Sequence, residues 1–254
     1  MNELATLELI IKAPAGVKLP LSAGSVLHGM LMEYVDKDYV ESLHEQALRP
    51  YSQYLTFDRE REALLWRISA LNKQAMDEVL APAFALPMSV HLKQKGWDLQ
   101  ILGKNYIRNT SYEMLAEKYF ANEIDVSAME YRFITSCSFK TDGDYAIFPQ
   151  PKLITKSFVN RWNAFASAEK LDERSVAYDL AEQVFVADYD LKMQKFALEG
   201  TRIQAFRGSY TLAFKGNLMS RKIMCMLGEF DQYSGIGIKT ALGMGATKTN
   251  IIKW

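Results

Sequence analysis

Three histidines, His28, His44 and His91, are the best candidates for proton transfer in this sequence. Histidine changes charge between about pH 5 and 8, so it can take or give a proton at neutral pH. His28 and His44 fall in consecutive predicted helices, whereas His91 falls in a strand-like segment and receives no role. A packing or surface histidine is the alternative for each. The sequence contains no HExxH, CxxC or Gly-x-Ser-x-Gly motif, so a metal site and acyl-transfer chemistry are both poorly supported.

Glycines are concentrated near the end of the chain, in the stretch YSGIGIKTALGMGATK. They are Gly235, Gly237, Gly243 and Gly245. Glycine-rich loops often bind phosphates through backbone N–H groups. The dinucleotide fingerprint requires a third glycine where this chain has Thr240, and a following helix for which the nine residues after Gly245 leave no room. The P-loop requires glycine directly before Lys-Ser/Thr, but Ile238 precedes Lys239. Both nucleotide templates fail.

Composition indicates a globular protein with a substantial core. The chain has 254 residues, of which 49% are hydrophobic and 24% charged, and this length suits one large domain or two smaller ones. No apolar run approaches the roughly 20 residues of a membrane helix, and the first residues lack the basic segment of a secretory signal. We therefore expect a cytoplasmic protein that does not associate with membranes.

The charge is unevenly distributed although the net charge is zero. Residues 191–254 contain ten Lys/Arg and three Asp/Glu, so the remainder of the chain is acidic. A basic segment that also contains the glycine-rich stretch is typical of a polyanion-binding surface. A solvated basic face paired with the acidic remainder explains the same charge equally well.

Hydrophobic periodicity predicts the same order of elements in both halves of the chain. In the first half the predicted strands are ELATLELIIK, YSQYLTFD, ALLWRISAL and WDLQILGKNYI, and the predicted helices are SAGSVLHGMLMEYV, DKDYVESLHEQAL and KQAMDEVLAPAFAL. The second half begins with a strand in EYRFITSCSF and a helix in KLITKSFVNRWNAF, followed by strands and a turn in AYDLAEQVFVADYDLKMQKFALEG. It continues with a hairpin around Gly208, a helix in LMSRKIMCMLGEF capped by Asn217, and a closing strand in ATKTNIIK.

Two consecutive β-α-β-β-α-β units correspond to two tandem ferredoxin-like domains. The predicted class is α+β, with antiparallel sheets and helices on one face of each. We predict a first domain over residues 1–115, which contains the histidine segments, and a second over residues 116–254, which contains the glycine-rich stretch. The join is predicted between Asn109 and Ser127.

Four segments of the chain resemble one protein family. A ferredoxin-like pair ending in GxGxxxxxGxG resembles the RAMP superfamily of CRISPR-associated RNA-binding proteins. The four segments are similar, in the same order, to those of the repeat-RNA endoribonucleases that form the sixth CRISPR-associated protein family. They are LPLSAGSVLHGMLMEYV, SLHEQALRPYSQYLTF, LITKSFVNRWNAF and GSYTLAFKGNLMSRKIMCMLGEFDQYSGIGIKTALGMGATK. The likeness spans essentially the whole chain.

The resemblance implies a ribonuclease that needs neither a metal nor a cofactor. Such an enzyme cuts CRISPR precursor RNA within each repeat and releases crRNA. The 2′-hydroxyl upstream of the scissile phosphate attacks in line, and the products are a 2′,3′-cyclic phosphate and a 5′-hydroxyl. The implied partners are the precursor and mature crRNA, and the family also leaves open contacts with other CRISPR effector subunits and a homodimer.

The resemblance also implies roles for the histidine segment. His44, at the end of the second helix, falls where the family most often carries its catalytic histidine, and a helix C-terminus favours a positive charge there. Met32 falls where some relatives carry an active-site side chain, which is a departure. His28 shares a helix face with Met32, so we hypothesise that it substitutes as a second acid–base group. Arg49 is the candidate for stabilising charge on phosphorus, with an exposed loop arginine as the alternative.

The basic residues of the second domain are the candidates for RNA binding, together with the four glycines. They are Arg202, Arg207, Lys215, Arg221, Lys222 and Lys239. Phosphate contacts from such residues would supply most of the affinity. Arg202 and Arg207 are predicted to flank the turn of a hairpin that lies on the RNA in the family, whereas Arg221 and Lys222 could pair with acidic residues instead.

Two other functions fit the same residues. Met32 in place of a catalytic side chain is compatible with a non-cleaving RNA-binding subunit of a CRISPR effector complex. The acidic first domain and the zero net charge are compatible with a ferredoxin-like small-molecule sensor.

Overall fold

The first antiparallel sheet is built from the N-terminal part of the chain. A computed structural model describes residues 3–167, 170–171, 175–198 and 200–253. The strands are β1 (Leu4–Lys12), β2 (Tyr51–Asp58), β3 (Ala63–Ala70), β4 (Ser89–Leu92) and β5 (Trp97–Thr110), paired in the order β2-β3-β1-β5-β4. Between them lie α1 (Gly24–Met32), α2 (Lys37–Glu45) and one interrupted helix made of α3 (Lys73–Ala75), a π turn (Met76–Leu80) and α4 (Ala81–Ala85).

The second sheet follows the connecting helix α5 (Tyr112–Phe120). Its strands are β6 (Ala128–Cys137), β9 (Val184–Leu198), β10 (Thr201–Phe214) and β11 (Thr247–Ile252), in the order β11-β6-β10-β9, and β7 (Phe139–Thr141) with β8 (Asp144–Ala146) forms a separate hairpin. The helices are α6 (Pro151–Phe165), α7 (Val176–Glu182) and α8 (Leu218–Ser234), and a 3-10 turn covers Thr240–Leu242.

Strand order identifies both sheets as ferredoxin-like. Counted along each β-α-β-β-α-β unit, the strands lie in the order fourth, first, third, second: β5-β1-β3-β2 in the first sheet and β11-β6-β10-β9 in the second. β4 is an additional edge strand of the first sheet. The predicted α+β class with two tandem ferredoxin-like domains is confirmed.

Each sheet has its own core. Helices α1 and α2 cover the first sheet with an apolar cluster that includes Leu27, Leu31 and Trp66, while the second core surrounds Trp162 and Phe230. Apolar burial of this kind is the main stabilising contribution for both units. Trp162 is fully buried in this second core.

Helix capping residues explain where several helices begin. The Asp36 carboxylate accepts hydrogen bonds from the N–H groups of Asp38 and Tyr39 at the start of α2. Asn217 accepts from the N–H of Ser220, so the predicted cap of α8 is confirmed. These side chains satisfy donors that have no partner within the helix.

The predicted hairpin around Gly208 is wrong. Gly208 lies in the middle of the continuous strand β10, whereas β9 ends at Leu198 and β10 begins at Thr201, so the chain reverses before β10. Gly208 has a φ of 138°, and a Cβ there would lie 1.9 Å from the carbonyl oxygen of Asp190 on β9. Glycine is thus required by a close cross-strand approach rather than by a turn. Arg207 consequently lies within β10, whereas Arg202 lies next to the turn.

Two further elements differ from the predictions. The segment AYDLAE, expected to be strand, forms helix α7, and helix α5 occupies the region expected to be only a join. The predicted boundary between residues 115 and 116 falls within α5 and stays a prediction. Within the described ranges, no helix is long and apolar enough to span a membrane.

Candidate active-site cleft between the two sheets

A cleft of about 390 Å³ separates the helices of the first sheet from the glycine-rich loop that follows α8. Its walls include His28, His44 and Arg49 on one side and Gly237 and Lys239 on the other. The remaining lining residues are Met32, Val40, Leu43, Gln46, Ala47, Leu48, Tyr51, Arg161, Ile238, Thr240, Ala241 and Leu242. The fold therefore brings all three predicted catalytic side chains together with one predicted RNA-binding lysine.

His44 is presented by the last turn of α2. The apolar side of this short helix buries Tyr39 and Leu43, so the next residue, His44, points away from the core and is exposed. The helix C-terminus carries unpaired carbonyl groups that favour a positive charge nearby. His44 is thus a solvent-accessible proton donor or acceptor at the edge of the cleft.

His28 lies deeper and is held by Tyr51. Its Nε2 is 2.7 Å from the Tyr51 hydroxyl, and the two rings are stacked with centroids 6.0 Å apart. Burial, together with the charges of Arg49 and His44, lowers the pKa of His28 to about 4. His28 is therefore neutral at pH 7 and can accept a proton, but it holds none to donate as an imidazolium.

Tyr51 was not selected from the sequence as part of a site, and Met32 was noted there only as a departure from the family. The Tyr51 hydroxyl lies 3.8 Å from the Met32 sulfur as well as beside His28, so its single hydrogen is accepted either by Nε2 or by the thioether. Burial raises the pKa of Tyr51 well above its usual range, which keeps the phenol protonated. Met32 cannot catalyse, but it packs against the tyrosine that orients His28.

Arg49 lies at the mouth of the cleft, just before β2. Its Nη1 donates to the carbonyl oxygen of Gln46, which places the guanidinium beside the end of α2. The side chain is half-buried and takes part in no ion pair among the described residues. Its charge is therefore available to an anion in the cleft.

The backbone N–H groups of the four glycines in the glycine-rich loop all form hydrogen bonds within the protein. All four glycines have positive φ angles, and each N–H donates within the protein: Gly235 to Asp231, Gly237 to the Ser157 hydroxyl, Gly243 to Thr240 and Gly245 to Ser136. These donors are not free for phosphate. The glycines instead allow a tight loop that presents Lys239, an exposed side chain in a left-handed conformation (φ 55°) that non-glycine residues rarely adopt.

The two walls of the cleft are joined by direct contacts. Gln53 donates from Nε2 to the carbonyl oxygens of Gly24 (2.8 Å) and Ala241 (2.9 Å), and so connects α1 with the loop. The Cα atom of Gly243 would lie 2.9 Å from a Cβ at Gly24, so only glycine permits this approach. The direct packing of α1 against the loop therefore fixes the position of the histidines relative to Lys239.

Arg161 is a second residue that sequence reasoning missed. It lies on the buried side of α6, lines the cleft, and donates from Nη2 to the carbonyl oxygen of Gly237 at 2.8 Å. The sequence held one signal for Arg161, which is that a charged residue comes directly before Trp162, a residue of the apolar helix face. A charge buried there requires specific partners.

Comparison with known proteins decides the family. The profile described as CRISPR-associated endoribonuclease Cas6 matches residues 131–247. A Mycobacterium tuberculosis protein, CRISPR-associated endoribonuclease Cas6, is 30% identical over 247 residues, which cover 96% of this chain and 76% of that protein. The chain belongs to the Cas6 family. A Streptococcus thermophilus Cas6 is 31% identical over 226 residues, or 87% of this chain and 88% of that protein.

Solved Cas6 structures share this fold. Thermus thermophilus Cas6 superposes with a TM-score of 0.76 at 20% identity, covering 98% of this chain and 99% of that one. A Cas6 product complex gives a TM-score of 0.79 at 22% identity, covering 97% and 99% of the two chains. The family resemblance inferred from the sequence is confirmed.

The remaining basic candidates of this Cas6 protein lie away from the cleft. Arg202, Arg207 and Lys215 are exposed, and Arg202 lines a separate depression beside the β9–β10 turn. Arg221 donates to the carbonyl oxygens of Gly216 and Val126, and Lys222 donates to that of Phe120, so these two cap backbone groups instead of pairing with acidic residues. RNA contacts by these five residues stay predictions.

Metal ligands were not expected in this Cas6 protein. In the part of the chain that the structure describes, no three His, Cys, Asp or Glu side chains are grouped so that they could hold a metal ion.

The lowered pKa of His28 predicts a pH effect on stability. Between about pH 4 and 6.5 the unfolded chain binds a proton at His28 that the folded protein does not, so the free energy of unfolding falls as the pH drops through this range. We expect His28→Gln to reduce the loss of stability between about pH 7 and pH 5, measured by denaturant unfolding. The wild-type protein, measured in the same buffers, is the reference. Equal losses in the two proteins would contradict the assignment.

Proposed function

We propose that this protein is a metal-independent endoribonuclease that cuts CRISPR precursor RNA within its repeats to generate crRNA. The observation that carries the proposal is the cleft itself, in which His28, His44 and Arg49 face Lys239 of the glycine-rich loop in a protein of an endoribonuclease family. Solved relatives described as a product complex and a substrate mimic complex support RNA as the ligand.

The reaction proposed is an attack of the 2′-hydroxyl on the adjacent phosphorus. The new bond joins O2′ to phosphorus, the bond from phosphorus to O5′ breaks, and the products are a 2′,3′-cyclic phosphate and a 5′-hydroxyl. One group must take the proton of the 2′-hydroxyl and another must protonate the departing O5′. No metal is needed when side chains perform both transfers.

The environments of the two histidines favour different parts in this reaction. His28 is neutral at working pH because burial and the charges of Arg49 and His44 lower its pKa to about 4, so it takes part as a weak proton acceptor. His44 is exposed at a helix C-terminus, where a positive charge is favoured, so it is suited to donating one. We assign His44 as the general acid or base most important to the rate and His28 as its auxiliary.

Arg49 and Lys239 supply positive charge from opposite walls of the cleft. Negative charge grows on the non-bridging phosphate oxygens as the 2′-oxygen attacks, and fixed cations stabilise it where water is partly excluded. Both side chains line the cleft, and Lys239 is held there by a loop fixed through its own hydrogen bonds. The site is thus composite, with groups from both ferredoxin-like units.

The test is cleavage of the cognate repeat RNA in the presence of EDTA. We expect full activity in EDTA and no cleavage when a single 2′-deoxynucleotide replaces the one upstream of the cut. The downstream fragment should accept phosphate from polynucleotide kinase directly, because it begins with a 5′-hydroxyl. A strict requirement for a divalent metal, or a 5′-phosphate on that fragment, would refute the mechanism.

A non-cleaving RNA-binding subunit is the second candidate. Met32, where some relatives carry an active-site side chain, favours it, because the thioether that contacts Tyr51 cannot transfer protons. Tight binding of repeat RNA with no product after long incubation would support this function. A cytoplasmic location, assembly with other CRISPR effector subunits and homodimer formation stay predictions.

A further inference from the structure

One buried carboxylate joins the two ends of the glycine-rich loop. Asp231 lies near the end of α8, just before the loop, and is 1% exposed. Its Oδ1 accepts a hydrogen bond from the Thr247 hydroxyl at 2.6 Å, and its Oδ2 accepts one from the Thr249 hydroxyl at 2.7 Å. Both threonines belong to β11, which follows the loop. Asp231 therefore connects the helix that enters the loop with the strand that leaves it.

Backbone hydrogen bonds continue this connection into the loop. The carbonyl oxygen of Asp231 accepts from the N–H of Gly235 at 2.7 Å, and the N–H of Ile236 donates to the carbonyl oxygen of Gly245 at 2.8 Å. Beyond this last pair the chain carries Lys239, which lines the candidate active-site cleft. Because the loop is fixed at both ends, a shift of β11 relative to α8 would move Lys239 in the cleft.

The same end of α8 is also bonded to the first sheet. Arg108 on β5 donates from Nη1 to the carbonyl oxygen of Gln232 at 3.2 Å, and the Ser52 hydroxyl on β2 donates to that of Tyr233. The positive charge of Arg108 favours the ionised form of Asp231. The carboxylate thus lies where both ends of the loop meet the unit that carries the two cleft histidines.

The charge of this carboxylate changes near neutral pH. Burial raises the pKa of Asp231 to about 7, although the two threonine hydroxyls and Arg108 oppose the rise. Asp231 also interacts electrostatically with Tyr131 and Cys137 on β6, which stay uncharged because burial raises the pKa of each well above neutral pH. The other acid of α8, Glu229, is held in an ion pair with a lysine of α5. An ionised carboxylate only accepts hydrogen bonds, so it matches two hydroxyl donors better than the protonated acid does.

We infer that Asp231 is a positioning residue for the cleavage reaction. Its ionised carboxylate holds α8 and β11 together at the base of the glycine-rich loop, and so keeps Lys239 where it stabilises charge on the scissile phosphate. The inference rests on the proposed function, because it takes the cleft as the place where the RNA is cut. Asp231 is buried and does not line the cleft, so it acts on the reaction through the loop alone.

The first test is single-turnover cleavage of the repeat RNA by Asp231→Asn and by the wild-type protein, between about pH 6 and pH 8.5. Asparagine keeps the shape of the side chain but cannot ionise. Both proteins contain His28 and His44, so the ratio of their rates cancels the titration of these histidines. We expect the wild-type protein to be less than about 2-fold faster at pH 6 and about 10-fold faster at pH 8.5, because small misplacements of a stabilising group slow catalysis. A ratio of 1, or one that does not change with pH, would overturn the inference.

Thr249→Val and Glu8→Gln complete this test. Thr249→Val removes the donor to Oδ2 at nearly constant size, which raises the pKa of Asp231, so this variant should reach its full rate at a higher pH than the wild-type protein. Equal pH profiles of these two proteins would also overturn the inference. Glu8→Gln is the matched control, because Glu8 is a buried carboxylate that is paired with Arg67 and does not line the cleft. It should cleave at the wild-type rate over the whole pH range.

Hydrogen exchange of the loop amides gives a readout that does not depend on cleavage. In Asp231→Asn the amides of Ile236 and Gly245 should exchange about 10-fold faster than in the wild-type protein at pH 8.5, and equally fast at pH 6. The amides of β1 should exchange alike in both proteins. Unchanged exchange in the loop at pH 8.5 would overturn the inference. Absence of cleavage by the wild-type protein would instead refute the proposed function, while the exchange rates still decide whether Asp231 holds the loop.

Discussion

Replacing His44 with alanine is expected to slow cleavage of repeat RNA by about 10²- to 10⁴-fold, the usual loss when a general acid or base is removed. His44 is exposed on the last turn of α2, so its removal leaves no cavity in the core. Binding of the RNA should change little, because phosphate contacts elsewhere supply most of the affinity. Single-turnover cleavage and equilibrium binding, measured on the same RNA, separate the two effects.

His91→Ala is the matched control for His44→Ala. His91 is also an exposed histidine, but it lies on β4, where its Nδ1 is 2.6 Å from the Asp98 carboxylate, and it does not line the cleft. This variant should cleave at the wild-type rate. Loss of activity in both variants, or full activity in His44→Ala, would remove His44 from the mechanism.

Replacing Gly245 with alanine is expected to destabilise the protein by at least about 3 kcal/mol, which corresponds to a melting temperature lower by about 6–12 °C. Gly245 has a φ of 70°, and a Cβ there would lie 2.0 Å from the carbonyl oxygen of Ile236. Backbone cannot rotate away from such a contact, so the two arms of the loop must separate. Cleavage should also slow, because this loop presents Lys239 to the cleft.

Gly16→Ala distinguishes crowding from conformational strain. Gly16 has a similar φ of 77°, but a Cβ there would meet no atom within 4 Å. Both variants carry the cost of a left-handed alanine, which is about 1–2 kcal/mol. Thermal unfolding should therefore show a clearly smaller shift for Gly16→Ala. Equal shifts of the melting temperature would mean that the loop accommodates a Cβ at little cost and that its glycines are not needed for close packing.

Local patterns were sufficient for most elements. The β-rich residues of YSQYLTFD predicted β2 with its observed bounds, and Asn217 marked the start of α8. Such signals are encoded within a few residues, since strand and helix periods and capping bonds involve near neighbours. Gly208 shows where local sequence patterns are no longer sufficient. Its purpose depends on Asp190 across the sheet, and no local pattern distinguishes that requirement from a turn.

The histidine segment and the glycine-rich loop could each be selected from the sequence. The sequence did not predict that the two lie on opposite walls of one cleft. Gln53 bonds Gly24 to Ala241, and this contact between residues far apart in the chain exists only because both sheets adopt the ferredoxin-like order. The same is true of Tyr51 beside His28 and of Arg161 beneath the loop, which have no motif of their own.

The sequence by itself determined the family, the two-domain α+β class and the side chains capable of proton transfer, because residue type and spacing carry that information. Only the tertiary structure decided which of these side chains share a cleft, and that burial keeps His28 neutral there. It also showed that the N–H groups of all four glycines donate within the protein and that these residues let the backbone pack closely, while RNA contacts at the glycines stay a prediction. Both outcomes follow from burial and close approach, which arise when distant segments pack together and which no single segment contains.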